Sequence, residues 1–169
     1  MIKKKNLFLL CGAPGSGKTT WVKEQMKNDK MKSVHISRDE VRFSMVNENE
    51  EYFSKETEVF YAFCSKIQEE LEKEDEANIY VDATHLNEKS RNKVLNRLDL
   101  RNAELFAVNF NLPLDVCLKQ NALRSGRTFV PVSQLKRMWY CYEAPTSNEK
   151  YKYTVLHIKV KAEKESEEQ

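Results

Sequence analysis

Glycine is scarce in this chain, four among 169 residues, and three of the four, Gly12, Gly15 and Gly17, fall within six positions. With so little glycine, and with no internal repeat or low-complexity spacer, a multi-domain string of flexible linkers is excluded. Cysteine is sparse and dispersed: Cys11, Cys64, Cys117 and Cys141 form no C-x-x-C pair and have no histidine at zinc-ligand spacing. Three of them sit in apolar surroundings and read as reduced core thiols. No apolar run approaches the roughly 18 residues that span a bilayer. Residues 7–11, behind Lys3-Lys4-Lys5, mimic a signal peptide. The run is too short for one and leads straight into a glycine loop, so a buried strand fits better and a cytoplasmic location is expected. An excess of one charge sign is missing too, with 28 basic against 26 acidic residues and a net charge of +2. The last nine residues, 161–169, hold two basic and four acidic side chains, leaving the rest of the chain about +4. That balance suits a phosphate-rich ligand but not a protein wrapped in nucleic acid.

What is present is an alternation. Short runs rich in β-branched, aromatic and leucine residues predict strands at 7–11, 33–36, 78–81, 105–110 and 154–160. Helical patterns lie between them, at 18–28, after Ser37 as N-cap, at 55–73, 88–100, 114–123 and 132–142. In 55–73, Val59, Phe60, Phe63, Ile67 and Leu71 recur on one face. Strand–helix alternation predicts a parallel sheet covered on both faces, with ligands outside the carboxyl ends of its strands. A single domain is expected over residues 1–160, followed by an acidic, disordered tail at 161–169.

The residues after each strand carry the chemistry. Gly12-Ala13-Pro14-Gly15-Ser16-Gly17-Lys18-Thr19 fits G-x-x-x-x-G-K-[ST] between a strand and a helix. Its glycines let backbone N–H groups face phosphate oxygens, and Thr19-Thr20 opens a helix whose positive end faces the same anion. Lys18 is expected at the β- and γ-phosphates of ATP and the Thr19 hydroxyl on Mg²⁺. After the second strand comes Ser37-Arg38-Asp39-Glu40-Val41-Arg42. Asp39 suits a base that orients an acceptor hydroxyl, and Arg38 and Arg42 suit an acceptor phosphate or transition-state charge. Helix capping with solvated arginines explains the same segment equally well.

The third strand ends at Asp82-Ala83-Thr84-His85-Leu86-Asn87. There Asp82 is a candidate for Mg²⁺ or for fixing the acceptor, with Thr84 beside it. His35, His85 and His157 read as structural. The segment Arg124-Ser125-Gly126-Arg127-Thr128-Phe129-Val130-Pro131 joins two helices as a hinged lid whose arginines close over a triphosphate, or as a plain connection. Trp139, Tyr140 and Tyr142 suit base stacking or ordinary packing.

Together these segments resemble, in order and spacing, the phage polynucleotide 5′-hydroxyl kinases and the small P-loop kinases related to them. The likeness runs from about Asn6 to Pro145 and includes Trp21 after the phosphate loop and Met138-Trp139-Tyr140 after the lid. It implies a P-loop NTPase fold, a three-layer α/β/α sandwich on a five-stranded parallel sheet of order 2-3-1-4-5 with a short helical lid. It implies Asp39 as general base, Arg42 on the acceptor phosphate, Arg124 on the transferring phosphoryl group and Lys18 on the donor phosphates. In two places the chain departs from its relatives. Their acid after the third strand stands one position later, where this chain has Ala83, and their lid is one residue shorter, so Arg124 and Arg127 compete for one role. A 3′-phosphatase domain is not expected after Pro145. The expected activity is γ-phosphoryl transfer from ATP to a hydroxyl, foremost a nucleic-acid 5′ end. Alternatives are a kinase of a small metabolite or nucleoside, a ring-forming ATPase, which usually carries two adjacent acids where Asp82 is followed by Ala83, and a non-catalytic ATP-binding regulator.

Overall fold

The computed structural model describes residues 4–159. Its centre is β1 (Lys5–Cys11), flanked by β3 (Ala77–Asp82) and β4 (Ala103–Asn109); β2 (Lys32–Ser37) and β5 (Thr154–His157) lie outside them. All pairings are parallel and the order is β2-β3-β1-β4-β5, as the strand–helix alternation and the resemblance predict.

Successive strand residues point to opposite faces, which divides the apolar runs between two cores. On one face Leu7, Leu9, Ile79, Val81 and Ala107 pack beneath α3 (Glu56–Glu72) and α4 (Glu88–Leu95), meeting Val59, Phe63, Ile67, Val94 and Leu95. On the other, Leu10, Tyr80 and Val108 meet Val22 of α1 (Lys18–Asn28), Cys117 of α5 (Leu114–Ala122) and Leu135 of α6 (Val132–Cys141). Phe8 stacks between Tyr80 and Phe106, with ring centroids 4.9 and 4.7 Å away. Each side chain fully buried in this way stabilises the fold by about 1.5–3 kcal/mol relative to exposure.

The helix α2 (Arg38–Met45) begins where its cap predicts: the Ser37 hydroxyl accepts a hydrogen bond from the Glu40 amide at 3.3 Å. Two expected elements are shorter than their patterns. The helix read over 88–100 ends at Leu95, where Arg97 and Leu98 donate to the carbonyls of Val94 and Leu95, three residues back, and tighten the chain into turns. Leu98 and Leu100 still pack on the core from that turn, which is why the apolar spacing reads on past the helix end. The strand read over 154–160 stops at His157; residue 160 and the expected tail lie outside the described residues. All four cysteines are free thiols, Cys141 exposed and the others buried. No helix among the described residues is long and apolar enough to cross a membrane.

Candidate active site

The phosphate loop leaves β1 at the centre of the sheet, and its glycines answer to specific crowding. A Cβ on Gly12 would lie 2.9 Å from the Phe110 carbonyl oxygen, and the Gly12 amide donates to the Thr84 carbonyl at 2.9 Å. Gly15 has φ +78°, and a Cβ there would stand 2.5 Å from the Cys117 carbonyl oxygen. The loop is thus wedged between the ends of β3 and β4 and the start of α5. Gly17, at φ +85°, is the N-cap of α1 and turns the chain so that the free amides of the first helical turn face the loop's hollow.

Lys18 is buried, and its ammonium donates to the carbonyls of Gly12 and Ala13, both at 2.9 Å, and to Ser16 Oγ at 3.3 Å. Burial lowers its pKa, and the nearby Asp82 carboxylate opposes that fall. A triphosphate seated on the loop amides would give this cation a stronger partner than two carbonyls.

Thr19, Asp82 and His35 meet at one point. Thr19 Oγ1 donates to Asp82 Oδ2 at 2.8 Å, and His35 Nε2 lies 2.8 Å from the same oxygen. Burial pushes the Asp82 carboxyl up. The His35 hydrogen bond, the Lys18 charge and the Thr19 hydroxyl pull harder the other way and hold it below the usual carboxylate range. The pair of hard oxygens, one of them an anion kept ionised, fits a Mg²⁺ ion that keeps most of its waters. At the place where the chain departs from its relatives, it is Asp82, the residue before Ala83, whose carboxylate reaches Thr19. Its place within a strand makes His35 read as structural; only the register of β2 with β3, where Ser37 pairs with Asp82, brings it there.

The residues expected on the acceptor side lie on α2 and around the start of α3. Asp39 is exposed at its carboxylate, but one oxygen is fixed: Oδ1 accepts from Arg42 at 2.8 Å and from the Tyr52 hydroxyl at 3.0 Å. The other oxygen carries neither bond. Arg42 is buried and largely spoken for, with bonds of 2.9 and 2.8 Å to both oxygens of Glu56 and its guanidinium 4.6 Å from the Tyr52 ring centroid. Among the described residues its Nε is buried without a partner, and so is that of Arg38, which donates to Glu56 at 2.5 Å. Burial opposes the Arg42 charge, while Glu56, Tyr52 and Asp39 reinforce it, leaving its pKa raised. Tyr52 and Glu56, absent from the sequence-derived candidates, are therefore the supports of Asp39 and Arg42.

The lid follows α5: a 3-10 turn at Gly126–Thr128, entered through Gly126 at φ +58°, then Pro131 as N-cap of α6. Its two arginines differ. Arg127 donates to the Val46 carbonyl at 2.5 Å and lies 4.4 Å from the Phe43 ring centroid, so it pins the lid to α2. Arg124 makes no side-chain hydrogen bond among the described residues. It lines the same cavity of about 380 Å³ as Lys18, Thr19, Arg38, Asp39, Arg42, Asp82 and Thr84. Phe53 and Phe129, 46% and 41% exposed, also line it. Trp139 and Tyr142 are packing residues, donating to the carbonyls of Leu112 at 2.8 Å and Cys11 at 3.0 Å; Tyr140 stays exposed.

Behind the loop a buried polar network holds the strand ends. His85, at φ +42°, places Nδ1 2.6 Å from the Leu10 carbonyl, so that nitrogen carries the proton, while Nε2 is buried without a partner among the described residues. Burial pushes its pKa down to about 4. Arg91 donates to the His85 carbonyl at 2.9 Å and pairs with Glu149 through Nε at 2.8 Å. Tyr153 and the Thr146 amide also bond Glu149.

The model of the family AAA_33, AAA domain, matches residues 7–145. No curated protein matches the sequence. Among solved structures, a fungal RNA kinase superposes with a TM-score of 0.67 at 18% identity, over 98% of this chain and 79% of that one. A chain of the Pnkp1/Rnl/Hen1 RNA repair complex gives 0.66 at 20% identity, over 83% of this chain; the match spans 44% of that chain's length. A gluconokinase from Sinorhizobium meliloti 1021 gives 0.55 at 15%, over 93% of this chain and 84% of that one. At these identities the likeness is one of fold, a P-loop kinase-like architecture of the kind that binds nucleotides.

Proposed function

We propose, from the premise that the chain belongs to the AAA_33 family and has a P-loop kinase-like fold, that it transfers the γ-phosphoryl group of ATP to the 5′-hydroxyl of a nucleic acid. One observation carries this reading. The donor side (Lys18 and Thr19) and a carboxylate oriented through only one of its oxygens (Asp39) line a single cavity under a lid arginine.

The loop amides and Lys18 bind the β- and γ-phosphates. Thr19 and Asp82 would hold Mg²⁺, which neutralises phosphate charge when bound. Asp39, held at Oδ1 by Arg42 and Tyr52, presents Oδ2 to the acceptor hydroxyl and takes its proton as that oxygen bonds to phosphorus. The bond from phosphorus to the β–γ bridging oxygen breaks, releasing ADP. Arg124 lies over the transferring group and stabilises its charge; such donors contribute about 10²- to 10³-fold. The positive charges of Arg38, Arg42 and Arg124 on the cavity wall favour an acceptor that brings its own phosphate. The half-exposed rings of Phe53 and Phe129 on the cavity wall favour one that brings a flat base. A small polyol supplies neither.

The test is Asp39→Asn. Turnover on a 5′-OH oligonucleotide should fall about 10²- to 10⁴-fold, with the ATP dissociation constant unchanged by calorimetry. Wild-type turnover in the variant contradicts the assignment of the base.

A further inference from the structure

Outside the cavity, one exposed strip combines basic and aromatic groups. Along α4 and the turn after it, Lys89, Lys93 and Arg97 recur every four residues and are all exposed. Lys89 and Lys93 share one helix face, about 6 Å of helix rise apart, and Arg97 follows in the turn after the helix. Like charges at this spacing repel by a few tenths of a kcal/mol per pair. No carboxylate among the described residues stands within ion-pair distance of any of the three.

The strip is continuous with the acceptor side. Lys93 Nζ lies 4.4 Å from the Phe60 ring centroid, and Arg38, which lines the cavity, lies 5.6 Å from the same centroid. Arg97 lies 4.5 Å from the ring of Tyr61, itself 47% exposed. The α3 side chains beneath Lys93 and Arg97, Phe60 and Tyr61, are uncharged. Cations held on aromatic faces keep their charge outward and lose little freedom on binding an anion.

We infer that Arg38, Lys93, Arg97 and Lys89 form a track for the phosphodiester backbone of the acceptor strand, leading away from the terminal nucleotide at Asp39 across the α3–α4 groove. This rests on the reading of the site as a nucleic-acid kinase and sharpens it: the substrate is a single strand several nucleotides long, engaged beyond its 5′ end. An unpaired, self-repelling basic row is accounted for by a polyanion that neutralises it; the short, linear layout fits one strand and not the two faces of a duplex.

The test uses the full chain and a 3′-fluorescein, 5′-OH single-stranded octanucleotide beside a dinucleotide, with binding read by anisotropy from 50 to 200 mM salt. The variant is Lys89→Gln/Lys93→Gln/Arg97→Gln, which keeps polar stems over the rings and spares every residue of the site. Each phosphate contact in a single strand contributes about 0.7 to the logarithmic salt slope. The variant should therefore lose about 2 from the octanucleotide slope, bind the octanucleotide more weakly, and match wild type on the dinucleotide. Equal slopes in the two proteins overturn the track, as does wild-type protein that binds the octanucleotide no better than the dinucleotide. The track and the kinase reading fail separately. Octanucleotide binding with the expected slope loss but no phosphoryl transfer sinks only the kinase reading, and transfer with unchanged slopes sinks only the track.

Discussion

Protonation of His85 should unfasten the back of the phosphate loop. Its Nδ1–H is already given to the Leu10 carbonyl, at the last turn of chain before Gly12. Its Nε2 is buried with nothing to receive a second proton. Burial, with the charges of Arg38 and Arg91, therefore holds the imidazole neutral down to about pH 4, against 6.5 for a free histidine. The sign follows from which state binds the proton. Between those two values the unfolded chain is protonated at this residue and the folded chain is not, so stability falls as pH falls through that window. At pH 4 the loss is about 3 kcal/mol, since a tenfold change in proton affinity corresponds to 1.36 kcal/mol. For a chain of this length that lowers Tm by roughly 6–12 °C.

Other groups titrate in the same window, so the measurement must be a difference. His85→Asn accepts the positive φ and offers an amide to Leu10 but does not titrate. Thermal unfolding of both proteins from pH 7.5 to pH 4 should show curves that converge as pH falls, the wild type losing about 3 kcal/mol more than the variant. Parallel curves would refute the claim that His85 is held neutral by its surroundings.

Other outcomes follow from the same structure. Glu149→Gln leaves the buried Arg91 charge without its partner and should cost about 3–5 kcal/mol in denaturant unfolding, whereas Arg91→Met/Glu149→Leu should be far milder; equal costs would remove the ion-pair explanation. Arg124→Ala should lower kcat by about 10²–10³, while Arg127→Ala, which loses a bond to the Val46 carbonyl, should mainly speed proteolysis within residues 123–131; the reverse pattern would exchange the two roles. Asp82→Asn should raise the Mg²⁺ concentration needed for half-maximal turnover and leave oligonucleotide binding intact, and an unchanged Mg²⁺ titration would take Asp82 out of the metal site.

The donor half was legible because its information is local. Gly12, Gly15 and Gly17 declare a tight loop within six residues, and Ser37 marks a helix start by the amide three residues ahead. The parallel sheet followed from the alternation, and its strand order from the resemblance. The supports of the acceptor half were not legible. Tyr52 lies in an irregular stretch with no periodicity and reaches Asp39 only because α3 folds back on α2; Glu56 reads as an ordinary first-turn acid until Arg42 is placed against it. His35 is one residue of a β-strand until β2 pairs with β3. Arg91 and Glu149 are 58 positions apart, a distance over which no sequence pattern carries a side-chain pairing. The two lid arginines, equivalent by spacing, separate only when one of them finds the Val46 carbonyl.

The central claim is that one cavity holds both an ATP phosphate site and a base for a nucleic-acid 5′-hydroxyl. The most direct measurement is transfer from γ-labelled ATP, with Mg²⁺, to a 5′-OH oligonucleotide, its 5′-phosphorylated twin, a nucleoside and gluconate, in wild type and Asp39→Asn. Label should appear on the 5′-OH oligonucleotide alone and fall about 10²- to 10⁴-fold in the variant. Label on gluconate or the free nucleoside with none on the oligonucleotide, or on no acceptor at all, would contradict it.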